Sequence, residues 1–214
     1  MRMVFFLLSW ILPFSHSNIC CAQDDPLEYV RILESAERVR KLQINRVVEV
    51  LNVQPNDRVA DLGAGSGLFT RPLAQKVGPE GIIYAVDINE NLLEHIRETA
   101  LEEGLENITT VLASQYDPKI PEKVDLILIC DTLHQIENPG VYLQNLGNYL
   151  SDGGRVAIID YEREWPQRLD ELKYTPLDLD AWMTTAGYQL KTKYSFLMGN
   201  FFVIYRYNQP EIGR

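Results

Sequence analysis

Apolar residues run along this chain in short blocks that alternate with amphipathic stretches. Arg58-Val59-Ala60, Ile82 to Val86, Ile108 to Leu112, Val124 to Cys130 and Arg155 to Asp160 read as five strands. Val124 to Cys130 is continuously apolar apart from Asp125, as expected of a strand covered on both faces. Between these blocks, Phe69 to Val77, Asn89 to Glu103 and Pro139 to Leu150 read as helices, and Leu177 to Ala186 as a last one. Glycines mark the breaks: Gly78 and Gly81, Gly104, Gly153-Gly154 and Gly187. Tyr188 to Ser195 and Phe201 to Tyr207, close in sequence, predict an antiparallel pair. Residues 24–51 read as a helical segment, with Val47, Val48 and Leu51 on an apolar face and Arg38, Arg40 and Lys41 on a solvated one. The alternation predicts an α/β fold: a seven-stranded, mostly parallel sheet with helices on both faces and an antiparallel end.

The first 22 residues differ from the rest. Arg2 precedes an apolar run from Val4 to Phe14, broken only by Ser9 and Pro13, and Ser15 to Ala22 is polar and small. This three-part shape predicts a signal peptide, residues 1–22, with cleavage after Ala22 and export to the periplasm or medium. The run is too short to span a bilayer, and no stable membrane span is expected in the mature chain. A lipid-anchored Cys20 is the rival reading, with Ser17-Asn18-Ile19 a poor approach to it; a leader that does not function would leave the chain cytoplasmic. Residues 23–214 then form a single domain, a helical segment over 23–51 and a sheet core over 52–207. With Cys20 and Cys21 removed, Cys130 stands alone and reads as a buried, inert thiol.

Composition adds one constraint. Thirty acidic residues against twenty basic give a net charge of −10, which disfavours nucleic acid as partner or substrate.

The chemistry concentrates at the ends of the first two strands. Asp61-Leu62-Gly63-Ala64-Gly65-Ser66-Gly67 places a carboxylate at a strand end and glycine at three alternate positions, where a backbone can approach a ligand closely. Asp87 ends the second strand 20 residues after Gly67, the distance at which an acid reaches a ribose in dinucleotide-binding folds. The dinucleotide fingerprint needs glycine at position 68, which is Leu68. Acid plus glycine suits a ligand with hydroxyls and a positive charge better than one with phosphates.

Val59 to Gly67 (VADLGAGSG), Tyr84 to Asn89 (YAVDIN), Val124 to Pro139 and Leu150 to Asp160 together resemble the class I S-adenosylmethionine-dependent methyltransferases, over about residues 37 to 207 and in the family's order. The resemblance implies S-adenosylmethionine as cofactor and methyl transfer to a small-molecule acceptor. It implies that Gly63, Ala64, Gly65 and Gly67 form the turn beneath the cofactor, that Asp61 faces its ammonium, and that Asp87 takes the ribose hydroxyls and Ile88 the adenine face. Asp87 as a helix cap is the alternative. At the adenine edge many relatives carry Gly-Asp-Ala; here Ala113-Ser114-Gln115-Tyr116-Asp117 stands instead, so Ser114, Gln115 or Asp117 would substitute. The helical segment 24–51 would cover the cofactor mouth or pack on a sheet edge.

Past the fourth strand, Asp131 and His134 would face the reactive methyl, Asp131 also touching the cofactor. Methyl transfer needs a base only where the nucleophile must lose a proton, and His134 is the side chain suited to that near neutral pH, with Asp131 as the second catalytic candidate. A structural role for His134 stands beside this reading. Asp131 and His134 find no third metal ligand at useful spacing, so no metal is expected. Asp160 and Tyr161 are further cleft residues without an assigned role, and residues 161–176, with Trp165, Pro166 and Tyr174, read as a loop covering substrate or merely tethering. Two alternatives of other kinds remain open: a noncatalytic module that binds the cofactor or a related nucleoside, and a nicotinamide-dependent oxidoreductase. Sequence alone leaves the oligomeric state open.

Overall fold

The computed structural model describes residues 26–162 and 174–208. The leader, and Trp165 and Pro166 of the stretch after the fifth strand, lie outside the described residues.

The five apolar blocks form β1 (Arg58–Leu62), β2 (Ile82–Asp87), β3 (Ile108–Leu112), β4 (Val124–Cys130) and β5 (Leu150–Tyr161), all parallel; β6 (Tyr188–Tyr194) and β7 (Asn200–Tyr207) complete one seven-stranded sheet with β7 antiparallel to both neighbours. The strand order is β3-β2-β1-β4-β5-β7-β6. The chain therefore winds outward from β1 to β3 and restarts at β4 on the other side of β1. That reversal opens a crevice at the carboxyl ends of β1 and β4, where ligands bind in open α/β sheets.

Period-two alternation sends β4 side chains to two cores. Ile127 and Ile129 join Val156 and Ile158 beneath α6 (Pro139–Leu146) and α7 (Pro176–Thr185). Leu126, Leu128 and Cys130 join Ala157 and Ile159 beneath α3 (Ile44–Leu51) and α4 (Thr70–Val77). All of these but Cys130 are wholly inaccessible, which is why β4 reads as an apolar run interrupted only at Asp125. A further helix, α5 (Glu90–Glu102), sets Leu93 and Ile96 against Ala85 of β2.

Three expectations need correction. The segment over 24–51 is three short helices, α1 (Pro26–Leu33), α2 (Ala36–Leu42) and α3: Ser35, at ψ 140°, separates α1 from α2, and Gln43, at φ 44°, a left-handed geometry that no helix continues through, separates α2 from α3. The helix from Pro139 stops at Leu146 and tightens into a 3-10 turn over Gly147–Tyr149. β5 starts at Leu150 rather than Arg155: Leu150 pairs with Val124 and Arg155 with Leu126, so residues 151–154, with Gly153 at φ 74°, form a bulge inside the strand.

No helix among the described residues is long and apolar enough to cross a membrane.

Candidate functional site

β1 ends at Leu62, and the chain turns at once. The amides of Gly63 and Ala64 both donate to the Val86 carbonyl of β2, at 2.8 and 3.0 Å, folding the glycine loop over the neighbouring strand. Gly63 has φ 76°, and a Cβ there would collide with the Thr132 side chain, so glycine is required twice over. Gly65 lies close beneath Leu33 of α1. Gly67 is not in the cavity wall; it has φ 81° and lies close to Ile96 of α5 and the Arg71 guanidinium of α4.

The loop forms the floor of a cavity of about 400 Å³, within the range of small-molecule sites. Asp61 is buried at its base and accepts a hydrogen bond from the Thr70 hydroxyl at 2.7 Å. Burial pushes its carboxyl up to about 6, with the charge of Asp87 adding to the rise and Thr70 opposing it. Asp87 accepts from the Gly65 amide on Oδ2 and from the Asn89 amide on Oδ1, each at 2.9 Å, which leaves each oxygen one lone-pair direction to spare. The helix cap is Asn89, whose side chain accepts from Asn91 and Leu92, so Asp87 is not the cap. Ser66 also lines the cavity; its Oγ is buried and has no hydrogen-bond partner among the described residues.

The far wall carries Ile88, 62% exposed, with Ser114 and Gln115. The Ser114 hydroxyl is already engaged, accepting from the Asp117 amide at 3.0 Å. Asp117 lies outside the wall and takes the Tyr149 hydroxyl and the Lys119 amide, which lower its pKa in that order. Gln115 is the one of the three candidates whose side chain is both in the wall and uncommitted to the local turn.

A second chamber of about 370 Å³ adjoins the first. Tyr29, Leu33, Arg38, Asp131 and Gln135 belong to both walls, so α1 and α2 roof the two together. Arg38, read as solvated, instead reaches inward and pairs with Asp131 at 2.9 Å. Asp131 sits at φ 50°, accepts Asn200 Nδ2 at 3.0 Å on its other oxygen, and has its pKa raised by burial against the opposing charge of Arg38. This ion pair forms the partition between the chambers. Cys130 lines the first chamber, and burial drives its thiol well above the ordinary value, which keeps it protonated and inert.

His134 belongs to the second chamber alone. It stands on a 3-10 turn, Leu133–Gln135, that follows β4, and its Nδ1 lies 2.8 Å from Asp160 Oδ1 at the end of β5. Its backbone amide donates to Asp160 Oδ2 at 3.2 Å. The ring of Tyr161 is tilted against the imidazole with centroids 5.5 Å apart. Asp131 and His134 thus share a chamber wall, and no group of three or more His, Cys, Asp or Glu side chains with metal-site geometry occurs among the described residues.

Arg38, Thr70, Ser66 and Asn200 are site residues that sequence reasoning missed. Arg38 and Asn200 carried no local signal, since each reaches the cleft from an element remote in sequence. Thr70 was within reach: a hydroxyl nine residues after Asp61, in the first turn of the helix that the loop begins, falls back over the strand end.

A family model for the methyltransferase domain matches residues 54–194. The ubiquinone/menaquinone biosynthesis C-methyltransferase UbiE of Burkholderia multivorans is 27% identical over 114 residues, 53% of this chain and 47% of that protein. Aklanonic acid methyltransferase DauC of a Streptomyces species is 30% identical over 114 residues, 53% of this chain and 52% of its own. The chain thus spans about half the length of the curated relatives it matches. Among solved structures, a SAM-dependent methyltransferase from Aquifex aeolicus superposes with a TM-score of 0.76 at 23% identity, covering 85% of this chain and 98% of that one. At that identity the likeness establishes the fold.

Proposed function

The chain belongs to the methyltransferase-domain family, and from that premise we propose that it binds S-adenosylmethionine in the first chamber and transfers its methyl group to a small molecule held in the second. The observation that carries the reading is the pairing of Asp61 and Asp87 across the glycine loop. Asp87 offers two spare acceptor directions, one on each oxygen, to the two hydroxyls of a ribose. Asp61, buried and in no salt bridge among the described residues, suits an ammonium group. The buried Ser66 Oγ is a further polar atom that a ligand can satisfy. Ile88, an exposed apolar side chain on the opposite wall, suits an adenine face, and Gln115 its edge.

The bound cofactor supplies a sulfonium-activated methyl group, so the protein's part is to orient the acceptor and keep water out. The roof of Tyr29 and Leu33 over both chambers fits that task. His134 is the candidate base and Asp131, with Arg38, the candidate polar partition beside the methyl. Leu68 in place of the third fingerprint glycine argues against a nicotinamide cofactor. Export of a mature chain starting near Gln23 is the localisation that the apolar run of the leader supports.

Isothermal calorimetry tests the reading. Stoichiometric binding of S-adenosylmethionine and of S-adenosylhomocysteine, with no heat from NAD, is expected. Binding of NAD alone would overturn it. A protein that binds the cofactor yet turns over no acceptor would support the noncatalytic alternative.

A further inference from the structure

Asp160 has a position that packing does not explain. It is a carboxylate with no exposed surface, at the end of a core strand, and a charge in such a place is tolerated only when donors surround it. Four do. His134 Nδ1, at 2.8 Å, and the Tyr161 amide, at 2.9 Å, converge on Oδ1. The His134 amide, at 3.2 Å, and the Tyr174 hydroxyl, at 2.7 Å, converge on Oδ2. Three fixed donors favour the ionised carboxylate, which has no proton to give and can only accept from the remaining neighbour. The proton on the His134–Asp160 contact therefore sits on Nδ1, and the lone pair of the imidazole lies on Nε2.

Tyr174 is itself held. It directly precedes Thr175, which caps α7 in a reciprocal box with Asp178, and its ring packs against Trp182 and Phe201. Burial, and next the charge of Asp160, raise its hydroxyl far above the ordinary tyrosine range, so it stays a donor. The arrangement is a buried line from the start of α7 through Tyr174 and Asp160 to the ring of His134, and it ends at the wall of the second chamber.

Resting on the methyl-transfer reading above, we propose that Asp160, braced by Tyr174, is the positioning residue that fixes His134 as a base, and that the acceptor in the second chamber is consequently a protic nucleophile of the aryl-hydroxyl class. A positioned base is of use only where the nucleophile must shed a proton. The acceptor O–H gives its proton to His134 Nε2 while an oxygen lone pair forms the bond to the methyl carbon. The S–CH3 bond breaks with its electron pair left on sulfur, which turns the sulfonium into a neutral thioether; charge and atoms balance without another reactant. The aromatic walls of Tyr29 and Tyr161, with the tilted face of His134, suit a planar acceptor.

The test uses the ligand-free protein, so that it does not depend on the cofactor reading. Nitrogen-15 NMR of the histidine rings reads the tautomer of His134, assigned by its loss in His134→Gln. The absorbance of added 4-nitrophenol, at a pH below its free midpoint, reads whether a phenol in the chamber is ionised by a protein base. The wild type is expected to show the Nδ1–H tautomer and a bound, ionised nitrophenolate. Asp160→Asn should lose that tautomer and lower the ionised fraction by about tenfold or more, the scale of losing a hydrogen bond to a buried charge. Tyr174→Phe, a milder change that keeps the ring packing, should keep the tautomer and lower ionisation by a few-fold. Should Asp160→Asn not fold, Tyr174→Phe and His134→Gln carry the same decision. An Nε2–H tautomer in the wild type, or a probe equally ionised with and without His134, overturns the proposal. Calorimetry with S-adenosylmethionine separates the failures: unchanged tautomer chemistry in a protein that does not bind the cofactor would sink the methyl-transfer reading and leave the Asp160–His134 device standing.

Discussion

The two chambers are built in opposite ways. The first is made by backbone: Gly63 to Gly65 turn under it, two amides are spent on the Val86 carbonyl, and one acid from each of two adjacent strand ends faces inward. Half of its wall comes from residues 61–69 and 86–92. The second is made by side chains brought from five places: α1, α2, the turn after β4, the end of β5 and the start of β7. A backbone-built site is tied to one ligand geometry, since a loop with positive φ at Gly63 has few other forms. A site built of side chains can change its occupant by substitution while the sheet beneath stays the same. The contrast supports the proposed division, with cofactor recognition in the first chamber and acceptor identity in the second.

If that division is real, substitutions on the two sides should separate cleanly. The largest effect belongs to the second chamber: His134→Ala should lower turnover by roughly 10²–10⁴-fold, the usual worth of a positioned base, and leave affinity for S-adenosylmethionine within about twofold. Turnover and calorimetry on one variant check both halves, and an equal loss of affinity would erase the boundary between the chambers.

Next is Gly63→Ala. The left-handed backbone costs about 1–2 kcal/mol, and the collision with Thr132 adds about 1–3 kcal/mol of overpacking. Denaturant unfolding should show a stability loss of that combined order, with cofactor binding weakened as well. A neutral result would mean the loop is more pliable than its geometry implies.

Asp87→Ala should weaken cofactor binding by about 1.5–3 kcal/mol, the range for losing hydrogen bonds to a charged group. Because Asp87 also holds the Gly65 and Asn89 amides, part of that loss should come as a looser loop, visible as faster amide exchange at Gly65. Cofactor affinity unchanged with a looser loop would reassign Asp87 to structure alone.

The smallest effect is the pH dependence from Asp61. Its pKa is raised to about 6 in the folded, ligand-free protein. A raised acid favours its protonated form in the fold, so its contribution to stability is greatest below the ordinary aspartate value and is lost as pH rises through about 6. Cofactor binding runs the other way, because an ammonium group favours the carboxylate. Affinity should therefore rise with pH up to about 6, by at most roughly tenfold per pH unit, and level off above it. Calorimetry in buffers of different ionisation enthalpy should detect proton release on binding below that point; affinity flat from pH 5 to 8 would remove the ammonium from Asp61.

The same contrast explains what the sequence disclosed. The first chamber was legible because its parts lie on contiguous residues with a distinctive grammar, acid, glycine and spacing to a second acid. Gly67, of the same run, lies outside the cavity wall and close to Ile96, a packing that sequence does not distinguish from contact with a ligand. In the second chamber Asp131 and His134 were visible as polar residues just past an apolar strand. Asp160 was visible as a cleft residue, but the pairings were not: Asp160 is 26 residues from His134, Arg38 is 93 from Asp131, and Asn200 is 69 from it. The sheet order brings these together, and sequence periodicity does not report it. Arg38 was placed on the solvated face with Arg40 for the same reason, since helical spacing cannot foresee an ion pair with the end of β4. The strands themselves were read to within a residue or two, except at β5, where a bulge held by the pairing of Leu150 with Val124 is a property of two strands.

The most direct test of the division is a crystal structure of the protein with S-adenosylhomocysteine. The account predicts the ribose hydroxyls on the two Asp87 oxygens, the ammonium over Asp61, adenine against Ile88 and the sulfur directed toward the Asp131 partition, with the second chamber left open beside His134. A nucleoside lodged in the second chamber, or one bound in the first without contact to Asp87, would contradict it.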